Sequence, residues 1–596
     1  MFRTVLLPRR PCALLAAAPI LIALLLAPAA SADWLANGSP IVTDELLDQA
    51  PFSASPDAAG GFIIGWGDFL WTRASRVTPA GDIAPGWPPV GTPMNQYSYA
   101  SYYPSTLPDG QGGAYVVMSS KWCEAHCAVD PTQVRVTHVR AGGSIAAGWE
   151  HNGVAIGTGL GPVRHRDVFA PVGTSDARGG VIVVWSGSTS SGPVDLRAQR
   201  VDSTGTLRWG PHGVVIRPPG SGSCLPAVMP DGSGGATVIW RDERGPALYA
   251  QHLDGSGAAL WAMNGVPLTG TLAPGFSRPV AVASGPHDLL VSWFGTTARD
   301  SGLFATRVAL RGERPVREPV HLLSAGSGID SLRMVSTRHG GAVLAWRDTR
   351  GSTGEAIFAQ RLDVDGRPRW RRGGVPVCTA PGHKDYLTLA ADDQDGAFLA
   401  WGDTRPAGEV FATHIDREGE PVSGWERDGS PICAPLAPVW AVQLVAGREG
   451  DAFVIWTDDR RPLGTQGVLK TTRAMRLLAH GPVTAPMPMP VVARQGALAA
   501  TSAPLAESRV LALRGIQPNP GLRGSRVHFA LPDASPATLD LFDLAGRRLW
   551  TRDVGMLGAG EHVVTLADGA WIPPGVYLAR LAQAHRVASA RIVIVQ

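Results

Sequence analysis

The chain has 596 residues, with 72 glycines and 50 prolines, and charged residues make up 17% of it. This length exceeds one compact core unless the core is built from repeats, and the composition is typical of short strands joined by tight turns rather than of long surface helices. The net charge of +3 at pH 7 is too small to indicate a nucleic-acid-binding protein.

The N-terminus has the pattern of an export signal. Arg3, Arg9 and Arg10 precede the apolar run ALLAAAPILIALLLAPAA, which is followed by Ser31-Ala32. The secretion machinery reads a basic start, an apolar middle and a small-x-small end, so we predict a signal peptide over residues 1–32 that is cleaved after Ala32. An uncleaved anchor is the alternative, because the run approaches spanning length. No later segment is as apolar, so we expect no stable membrane span after cleavage.

A repeat organises residues 33–477. Seven apolar runs end in a tryptophan, and Met118 takes the same place in an eighth run, GGAYVVM. The tryptophans are Trp66, Trp185, Trp240, Trp293, Trp346, Trp401 and Trp456. From Trp185 onward the steps between them are 55, 53, 53, 55 and 55 residues. A period this regular indicates a solenoid, a propeller or an array.

Each repeat predicts four short strands. A D-x-x-G-G turn, such as Asp231–Gly235, precedes the run that ends in tryptophan, and a strand such as IFAQRLD and a final W-x3-G strand follow. Glycine supplies positive φ in these turns, and aspartate bonds to nearby backbone amides. The tryptophan strand is apolar on both faces and must be covered on both. Radial packing of four-stranded sheets satisfies this requirement and shields their edges, which predicts a β-propeller.

The two ends of the repeat region complete each other. The last repeat lacks a W-x3-G strand, whereas residues 34–42 carry one that has no repeat of its own. We therefore predict that residues 34–42 form the outer strand of the final sheet and close the ring. In the fifth repeat, Pro315–Leu322 is expected to replace the missing W-x3-G strand. The predicted fold class is all-β, with an eight-bladed propeller and seven blades as the alternative.

The cysteines suggest one local bridge. Export makes disulfides possible, and Cys123-Glu-Ala-His-Cys127 is the only closely spaced pair, so we predict a possible disulfide there. A metal site that uses His126 is the alternative, but structural zinc needs four ligands and no second pair is evident, so we predict no metal. Cys378 and Cys433 occupy the same place in successive repeats, which repeat geometry holds apart, so we do not expect them to pair.

A different module follows the repeats. Residues 478–508 are rich in alanine, proline and methionine and predict an extended linker. Residues 509–596 contain short strands such as TLDLFDLAG, GVYLARL and ARIVIV. Several short strands in a module of this size predict a β-sandwich.

Three motifs of this module carry a family resemblance: the pair Asn519-Pro520, the turn Asp543-Leu-Ala-Gly-Arg547 and the strand Gly575-Val-Tyr577. In this order they resemble the immunoglobulin-like C-terminal domains related to the flagellar hook-capping protein and to type IX secretion sorting domains. The resemblance implies recognition by outer-membrane export machinery and a secreted or outer-membrane-surface location. Sorting domains often end in a basic residue, whereas this chain ends in Gln596, so a structural cap is the alternative. The repeats also resemble a broad class of secreted bacterial repeat proteins.

A charged W-x-D-x-R segment recurs after the tryptophan and supplies candidate binding residues. They are Asp242, Arg244, Asp348, Arg350, Asp403, Arg405, Asp458 and Arg460. If the inner strand comes first in each repeat, these loops lie on one face of the ring, where arginine forks suit carboxylates or sulfated and phosphorylated groups. The structural alternative is favoured: each aspartate caps loop amides, and each arginine pairs with it or stacks on a tryptophan.

Catalytic motifs are missing from the sequence. There is no H-E-x-x-H, G-x-S-x-G, P-loop or Rossmann fingerprint, so we predict no catalytic residues and no cofactor. We favour a non-catalytic scaffold that binds an extracellular glycan or protein. The alternatives are a secreted polysaccharide hydrolase or lyase with a site at the propeller centre, and a purely structural surface protein. An acidic pair facing the central channel would favour the hydrolase.

Overall fold

The structure is a computed structural model. It describes residues 38–41, 52–67, 72–95, 98–122, 132–160, 171–187, 194–220, 226–242, 247–269, 273–274, 279–285, 287–296, 301–310, 316, 318–324, 328–351, 354–405, 409–433, 439–448, 450–458, 471–482, 512–517, 526–533, 535–543, 547–557, 560–565, 575–584 and 586–594. The predicted signal peptide, the Cys123–Cys127 pair and most of the linker lie outside these residues. Two compact units divide the chain at residues 1–488 and 489–596.

The described residues of the first unit form eight antiparallel sheets, whose strands follow chain order except at the last sheet. The N-terminal strand is β1 (Ser39–Pro40). The first sheet contains β2 (Phe52–Pro56), β3 (Phe62–Gly67), β4 (Thr72–Val77) and β5 (Thr92–Pro93). The second contains β6 (Ser98–Pro108), β7 (Ala114–Trp122), β8 (Thr132–Val139) and β9 (Val154–Leu160). The third contains β10 (Val172–Ser175), β11 (Val181–Gly187), β12 (Val194–Val201) and β13 (Val214–Gly220).

The next three sheets repeat this plan. The fourth contains β14 (Ala227–Pro230), β15 (Ala236–Asp242), β16 (Ala247–Leu253) and β17 (Val266–Pro267). The fifth contains β18 (Ala273–Pro274), β19 (Val280–Ala283), β20 (Asp288–Thr296), β21 (Ser301–Ala309) and β22 (Val320–Ser324). The sixth contains β23 (Ile329–Ser336), β24 (Ala342–Gly351), β25 (Gly354–Leu362) and β26 (Val375–Cys378). In the fifth sheet the outer strand therefore begins later than the predicted segment at residues 315–322.

The last two sheets complete the unit. The seventh contains β27 (Lys384–Ala391), β28 (Ala397–Asp403), β29 (Val410–Ile415) and β30 (Ser430–Cys433). The eighth contains β31 (Val439–Ala446), β32 (Ala452–Asp458), β33 (Thr471–Leu478) and the short β34 (Gly481–Pro482). Strand β1 pairs with β33, with Ser39 opposite Ala474, so the predicted N-terminal segment does lie at the outer edge of the final sheet.

The eight sheets contact one another in cyclic order through their first strands. Strands β2, β6, β10, β14, β19, β23, β27 and β31 each contact the next, and β31 contacts β2. The second strand of each sheet is buried on both faces, as the apolar runs predicted, and all seven repeat tryptophans on these strands are at most 1% exposed. The hydrophobic clusters lie between neighbouring sheets, as where Phe398 of β28 and Trp456 of β32 share one core. This is a propeller-like all-β arrangement.

The tryptophan of the W-x3-G motif joins one sheet to the next. In five sheets its indole N–H donates to a backbone carbonyl in a turn of the following sheet, at 2.8–3.2 Å. The pairs are Trp87 with Ala141, Trp149 with Ser203, Trp209 with Gly255, Trp370 with Arg417 and Trp425 with Ala479. The motif therefore recurs because each sheet needs both an apolar cover and a hydrogen bond to its neighbour.

The glycine of the same motif leaves room for the buried tryptophan of its own sheet. Gly429 has φ +86°, and an added Cβ would lie 2.5 Å from the Trp401 indole. Gly38 has φ +79°, and a Cβ added there would overlap the indole of Trp456 in the same way. The N-terminal segment thus repeats the side-chain packing of the other sheets as well as their backbone pairing.

The second unit consists of two antiparallel sheets around one core. The strands are β35 (Ala512–Gln517), β36 (Arg526–Leu531), β37 (Ala537–Phe542), β38 (Arg548–Asp553), β39 (Gly560–Thr565), β40 (Gly575–Gln583) and β41 (Arg586–Ile594), with a 3-10 turn at Gly555–Leu557. One sheet has the order β35-β36-β39 and the other β38-β37-β40-β41. Phe529 of the first sheet and Leu541 and Leu581 of the second belong to the shared core. In the predicted turn, the Asp543 carboxylate accepts the Arg547 amide at 2.9 Å.

Replacing Gly38 tests the closure of the first unit. Both Gly38→Ala and the control Gly110→Ala place a side chain at nearly the same positive φ, but nothing lies within 4 Å of Gly110. The shared backbone cost of alanine at positive φ is about 1–2 kcal/mol, and overpacking against Trp456 adds about 1–3 kcal/mol for Gly38→Ala alone. Thermal and denaturant unfolding should show the larger loss for Gly38→Ala. Equal losses would contradict a structural role of the closing strand.

Candidate functional site

The aspartates of the repeated W-x-D-x-R segment are buried at the ends of the second strands. Asp242, Asp348, Asp403 and Asp458 are at most 5% exposed. In three of the four sheets the preceding tryptophan donates its indole N–H to the carboxylate, at 3.3 Å for Asp242, 3.0 Å for Asp403 and 3.1 Å for Asp458. Among the described residues, the buried indole nitrogens of Trp66, Trp185, Trp293 and Trp346 have no hydrogen-bond partner, although Asp348 follows Trp346 by two positions. The aspartate therefore satisfies the buried indole donor in three sheets, those of Trp240, Trp401 and Trp456.

Cations inside the sheets neutralise these carboxylates. The Asp403 carboxylate lies 2.9 Å from Arg405 Nε, and the Arg405 guanidinium stacks 3.8 Å from the centre of the Phe411 ring. Asp242 lies 3.3 Å from the buried Arg217. The side chains of Arg244, Arg350 and Arg460 lie outside the described part of the chain. The geometry favours the structural alternative for the aspartates and for Arg405, and ligand binding by the other arginines stays a prediction.

A buried lysine fixes the turn before β27. Lys384 is 1% exposed, and its ammonium donates to the carbonyls of Ala380 at 2.6 Å and Gly382 at 2.9 Å. Its Nζ lies 3.9 Å from the Asp403 carboxylate. Satisfied donors allow the charge to be buried, so the turn at residues 380–383 is held in one conformation.

The two described cysteines are inert. Burial raises the pKa of the Cys378 thiol to about 11, and the thiol rather than the reactive thiolate therefore predominates near neutral pH. Neither Cys378 nor Cys433 takes part in a disulfide, as the repeat geometry predicted. Within the described ranges, no group of three or more His, Cys, Asp or Glu side chains is arranged to hold a metal ion.

A group of five charged side chains that the sequence did not reveal joins the sixth and seventh sheets. We call this group the ion cluster; its members are Asp330, Arg347, Glu355, His383 and Asp385. Arg347 bonds both oxygens of Asp330, with Nε at 2.6 Å and Nη2 at 2.7 Å. Its Nη1 donates to the Lys384 carbonyl at 2.7 Å and to Asp385 at 3.1 Å. Hydrogen bonding to Asp330 raises the pKa of the Arg347 guanidinium, which therefore stays charged.

His383 bridges two carboxylates of the ion cluster. Its Nδ1 lies 2.8 Å from Glu355 Oε1, and its Nε2 lies 2.6 Å from Asp385 Oδ2. Burial lowers the pKa of His383, but the hydrogen bonds to Asp385 and Glu355 outweigh burial, so the pKa lies above its usual value. The imidazolium, which can donate from both nitrogens, is the form that satisfies both acceptors.

Three neighbouring first strands present exposed side chains at one register position. The exposed residues are Asp330, Asp385 and Trp440. Each comes directly after the residue that pairs with the buried aspartate of its sheet, which is Ile329, Lys384 or Val439. The side chains of Asp330 and Asp385 are 47% and 44% exposed, and Trp440 is 46% exposed. We call Asp330, Asp385, Trp440 and the adjacent Tyr386 the rim arc.

Backbone irregularities accompany the rim arc. The register of β23, β27 and β31 shifts at this point, and Ser331 and Tyr386 adopt positive φ values of 53° and 55°. Positive φ is costly for residues other than glycine, and such strain clusters at functional sites. The bulges leave Tyr386 39% exposed. Tyr386 and Trp440 are the two large aromatic residues that stand exposed in the described chain.

An apolar cavity of about 330 Å³ lies among the first strands. The residues around it are Ala54, Pro56, Val282, Met334, Val335, Ser336, Leu389, Ala390, Ala391, Leu444, Val445 and Ala446. None of these described lining residues is titratable, so this cavity offers no acidic pair for glycoside hydrolysis.

The described part of the chain also contains no helix with the length and hydrophobicity needed to cross a bilayer.

Replacing Asp403 separates a structural role from a ligand role. Asp403→Asn removes the negative charge beside Lys384 and Arg405, and an uncompensated buried charge should lower the free energy of unfolding by about 3 kcal/mol. Glu420→Gln is the control, because Glu420 and Arg427 form an exposed pair that contributes at most about 1 kcal/mol. Denaturant unfolding measures both. Unchanged stability of Asp403→Asn would contradict the structural role.

The stability of the protein should depend on pH through His383. Because the folded-state pKa is raised, the bridge stabilises the fold below the unfolded-state pKa, and this contribution is lost as pH rises through the folded-state value. We expect the melting temperature to fall as pH rises above about 6.5, the usual pKa of histidine, and His383→Gln to reduce that fall. His151→Gln, at an exposed histidine, should leave the profile unchanged. Identical profiles for His383→Gln and the unaltered protein would contradict the bridge.

Comparisons with known proteins give no family. No family model matches the chain, and no curated protein matches it.

An ulvan lyase from a polysaccharide lyase family is 10% identical with a TM-score of 0.38, covering 76% of this chain and 97% of that chain. Prolyl oligopeptidase B from Galerina marginata is 11% identical with a TM-score of 0.36, covering 70% and 56%. A protein of unknown function from Dyadobacter fermentans is 10% identical with a TM-score of 0.33, covering 64% and 96%. Similarity at this level carries no argument about the present chain.

Proposed function

We propose that the first unit is an eight-bladed β-propeller whose last blade is closed by the N-terminal strand. Eight sheets with cyclic contacts between their first strands support this count over the alternative of seven. The pairing of β1 with β33 supports the closure. A closed ring of blades leaves only short, protected sheet edges and no uncapped apolar face.

We propose that the protein acts outside the cell. The basic, apolar and small-residue pattern of residues 1–32 supports export and cleavage after Ala32. The second unit is proposed to be an immunoglobulin-like sorting domain that engages outer-membrane export machinery. Its two antiparallel sheets with one core and its aspartate-capped turn at Asp543 fit such a domain. The expected destination is the medium or the outer-membrane surface.

The proposed molecular function is non-catalytic binding of an extracellular glycan at the rim arc. The observation that carries it is the exposure of Trp440 and Tyr386 beside two half-exposed aspartates. Aromatic faces give a rigid apolar platform for a sugar ring, and carboxylate oxygens accept hydrogen bonds from hydroxyl groups. Apolar contact with a few placed polar groups is typical of small-molecule sites.

The ion pairs of the ion cluster support binding rather than glycoside hydrolysis. Hydrolysis uses a pair of carboxyl groups that flank the scissile bond and are free to act on it. Each described carboxylate of the ion cluster instead forms an ion pair with Arg347 or His383.

Replacing Trp440 tests the proposed site. The chain beginning at residue 33 would be melted against a panel of neutral, cationic and sulfated glycans, since a ligand that binds the native state raises the midpoint. Trp440→Ala and Tyr386→Ala should each weaken binding by about fivefold to tenfold through lost aromatic contact. Leu260→Ala is the control, because Leu260 is exposed on the fourth sheet.

The glycan proposal fails if no glycan shifts the midpoint of the unaltered chain. It also fails if Trp440→Ala and Tyr386→Ala bind as tightly as the unaltered chain does. A protein partner whose binding is lost in Trp440→Ala would replace the glycan proposal with the protein-binding alternative.

A further inference from the structure

We propose that the rim arc selects glycans whose sugar units carry protonated amino groups. This inference rests on the proposed glycan-binding function and adds the chemical class of the ligand. It combines two observations. The exposed aromatic rings offer a platform for a sugar, and the exposed polar groups beside them accept hydrogen bonds.

Among the described residues, the two cations of the ion cluster direct their nitrogens at groups of the protein itself. All three guanidinium nitrogens of Arg347 donate to Asp330, Asp385 or the Lys384 carbonyl. Both ring nitrogens of His383 face carboxylates. A sulfated or carboxylated sugar would have to break these bonds, so the described arrangement disfavours such ligands.

The exposed polar groups of the rim arc are acceptors. Asp330 and Asp385 keep nearly half of their side-chain surface exposed, and an ionised carboxylate has about four acceptor positions. Within the ion cluster the three carboxylates outnumber the two cations, and the neighbouring cations Lys384 and Arg405 are directed at the buried Asp403 carboxylate instead. A ligand group that both donates hydrogen bonds and carries positive charge, such as an ammonium group, complements this surface.

The acceptors and the platform lie in a row that suits a chain of sugars. Asp330, Asp385 and Trp440 occupy the same register on β23, β27 and β31, and each of these strands contacts the next. A sugar on Trp440 therefore has Asp385 on the neighbouring blade and Asp330 on the one beyond. A polymer with an amine on successive units would meet successive carboxylates.

The row is held in place before any ligand arrives. The buried ammonium of Lys384 fixes the turn at residues 380–383, and Arg347 ties Asp330 to Asp385 across two sheets. A preformed site loses less conformational entropy on binding. The acceptors of the rim arc are therefore preorganised.

The test compares two oligosaccharides that differ in the amino group alone. Chitosan hexamer and its fully N-acetylated counterpart would be titrated calorimetrically into the full chain without its signal peptide. The measurements would use mildly acidic pH, where the amines are protonated. Two partly exposed charge pairs should give about tenfold tighter binding of the chitosan hexamer. Added salt should reduce this preference, because exposed charges are screened.

Matched variants connect the preference to the rim arc. Asp330→Asn combined with Asp385→Asn keeps the side-chain shapes and should remove most of the amine preference. Trp440→Ala should weaken both hexamers. Glu420→Gln, which removes an exposed carboxylate elsewhere in the seventh sheet, should leave the preference intact.

The outcomes separate this inference from the proposed function. Equal affinity for the two hexamers, tighter binding of a sulfated oligosaccharide, or an unchanged preference in the double variant would overturn amine selection while leaving glycan binding in place. Failure of every glycan to bind would overturn both. A tenfold preference that the double variant abolishes would support the inference.

Discussion

The fold of the first unit depends on the packing of one tryptophan in nearly every sheet. This residue lies on the second strand, fully buried between neighbouring sheets, and a four-stranded sheet has no way to cover it alone. Burial of a large aromatic side chain contributes on the order of 2–3 kcal/mol, and the contribution recurs at seven positions, from Trp66 to Trp456. The other repeated residues can be understood as consequences of this requirement.

The other repeated residues pack around the buried indole or connect one sheet to the next. A glycine at positive φ lets the outer strand lie close to the indole, as Gly429 does over Trp401. An aspartate two residues later accepts its N–H, as Asp403 does. The tryptophan of the outer strand then bonds to a turn of the following sheet, as Trp425 does with Ala479. Repetition of a residue therefore reflects a need that every sheet shares.

Departures from the repeat point to function for the same reason. Asp330, Asp385 and Trp440 occupy the same backbone register in three neighbouring sheets, but their side chains differ in chemistry. Nothing in the packing of a sheet requires an exposed tryptophan there. The scaffold thus provides equivalent places on successive sheets, and three neighbouring sheets present a polar and aromatic surface there.

The sequence by itself predicted the strand order, the turns and the covered second strands, because these follow from short-range patterns that recur at a fixed period. It also predicted the place of the N-terminal segment beside the final sheet, where Ser39 lies opposite Ala474. As the structural alternative it predicted that the aspartates of the W-x-D-x-R segment cap loop amides and pair with arginines, whereas the bonds from the indole N–H groups to the carboxylates became evident only in the tertiary structure. Only the tertiary structure brought Asp330, Glu355 and His383 together, because they come from two strands of the sixth sheet and from the turn before β27, and follow no common spacing. Exposure of Trp440 was likewise decided by the tertiary structure, because Trp440 lies on a first strand at the register shift between Val439 and Ala441, whereas the buried tryptophans lie on second strands.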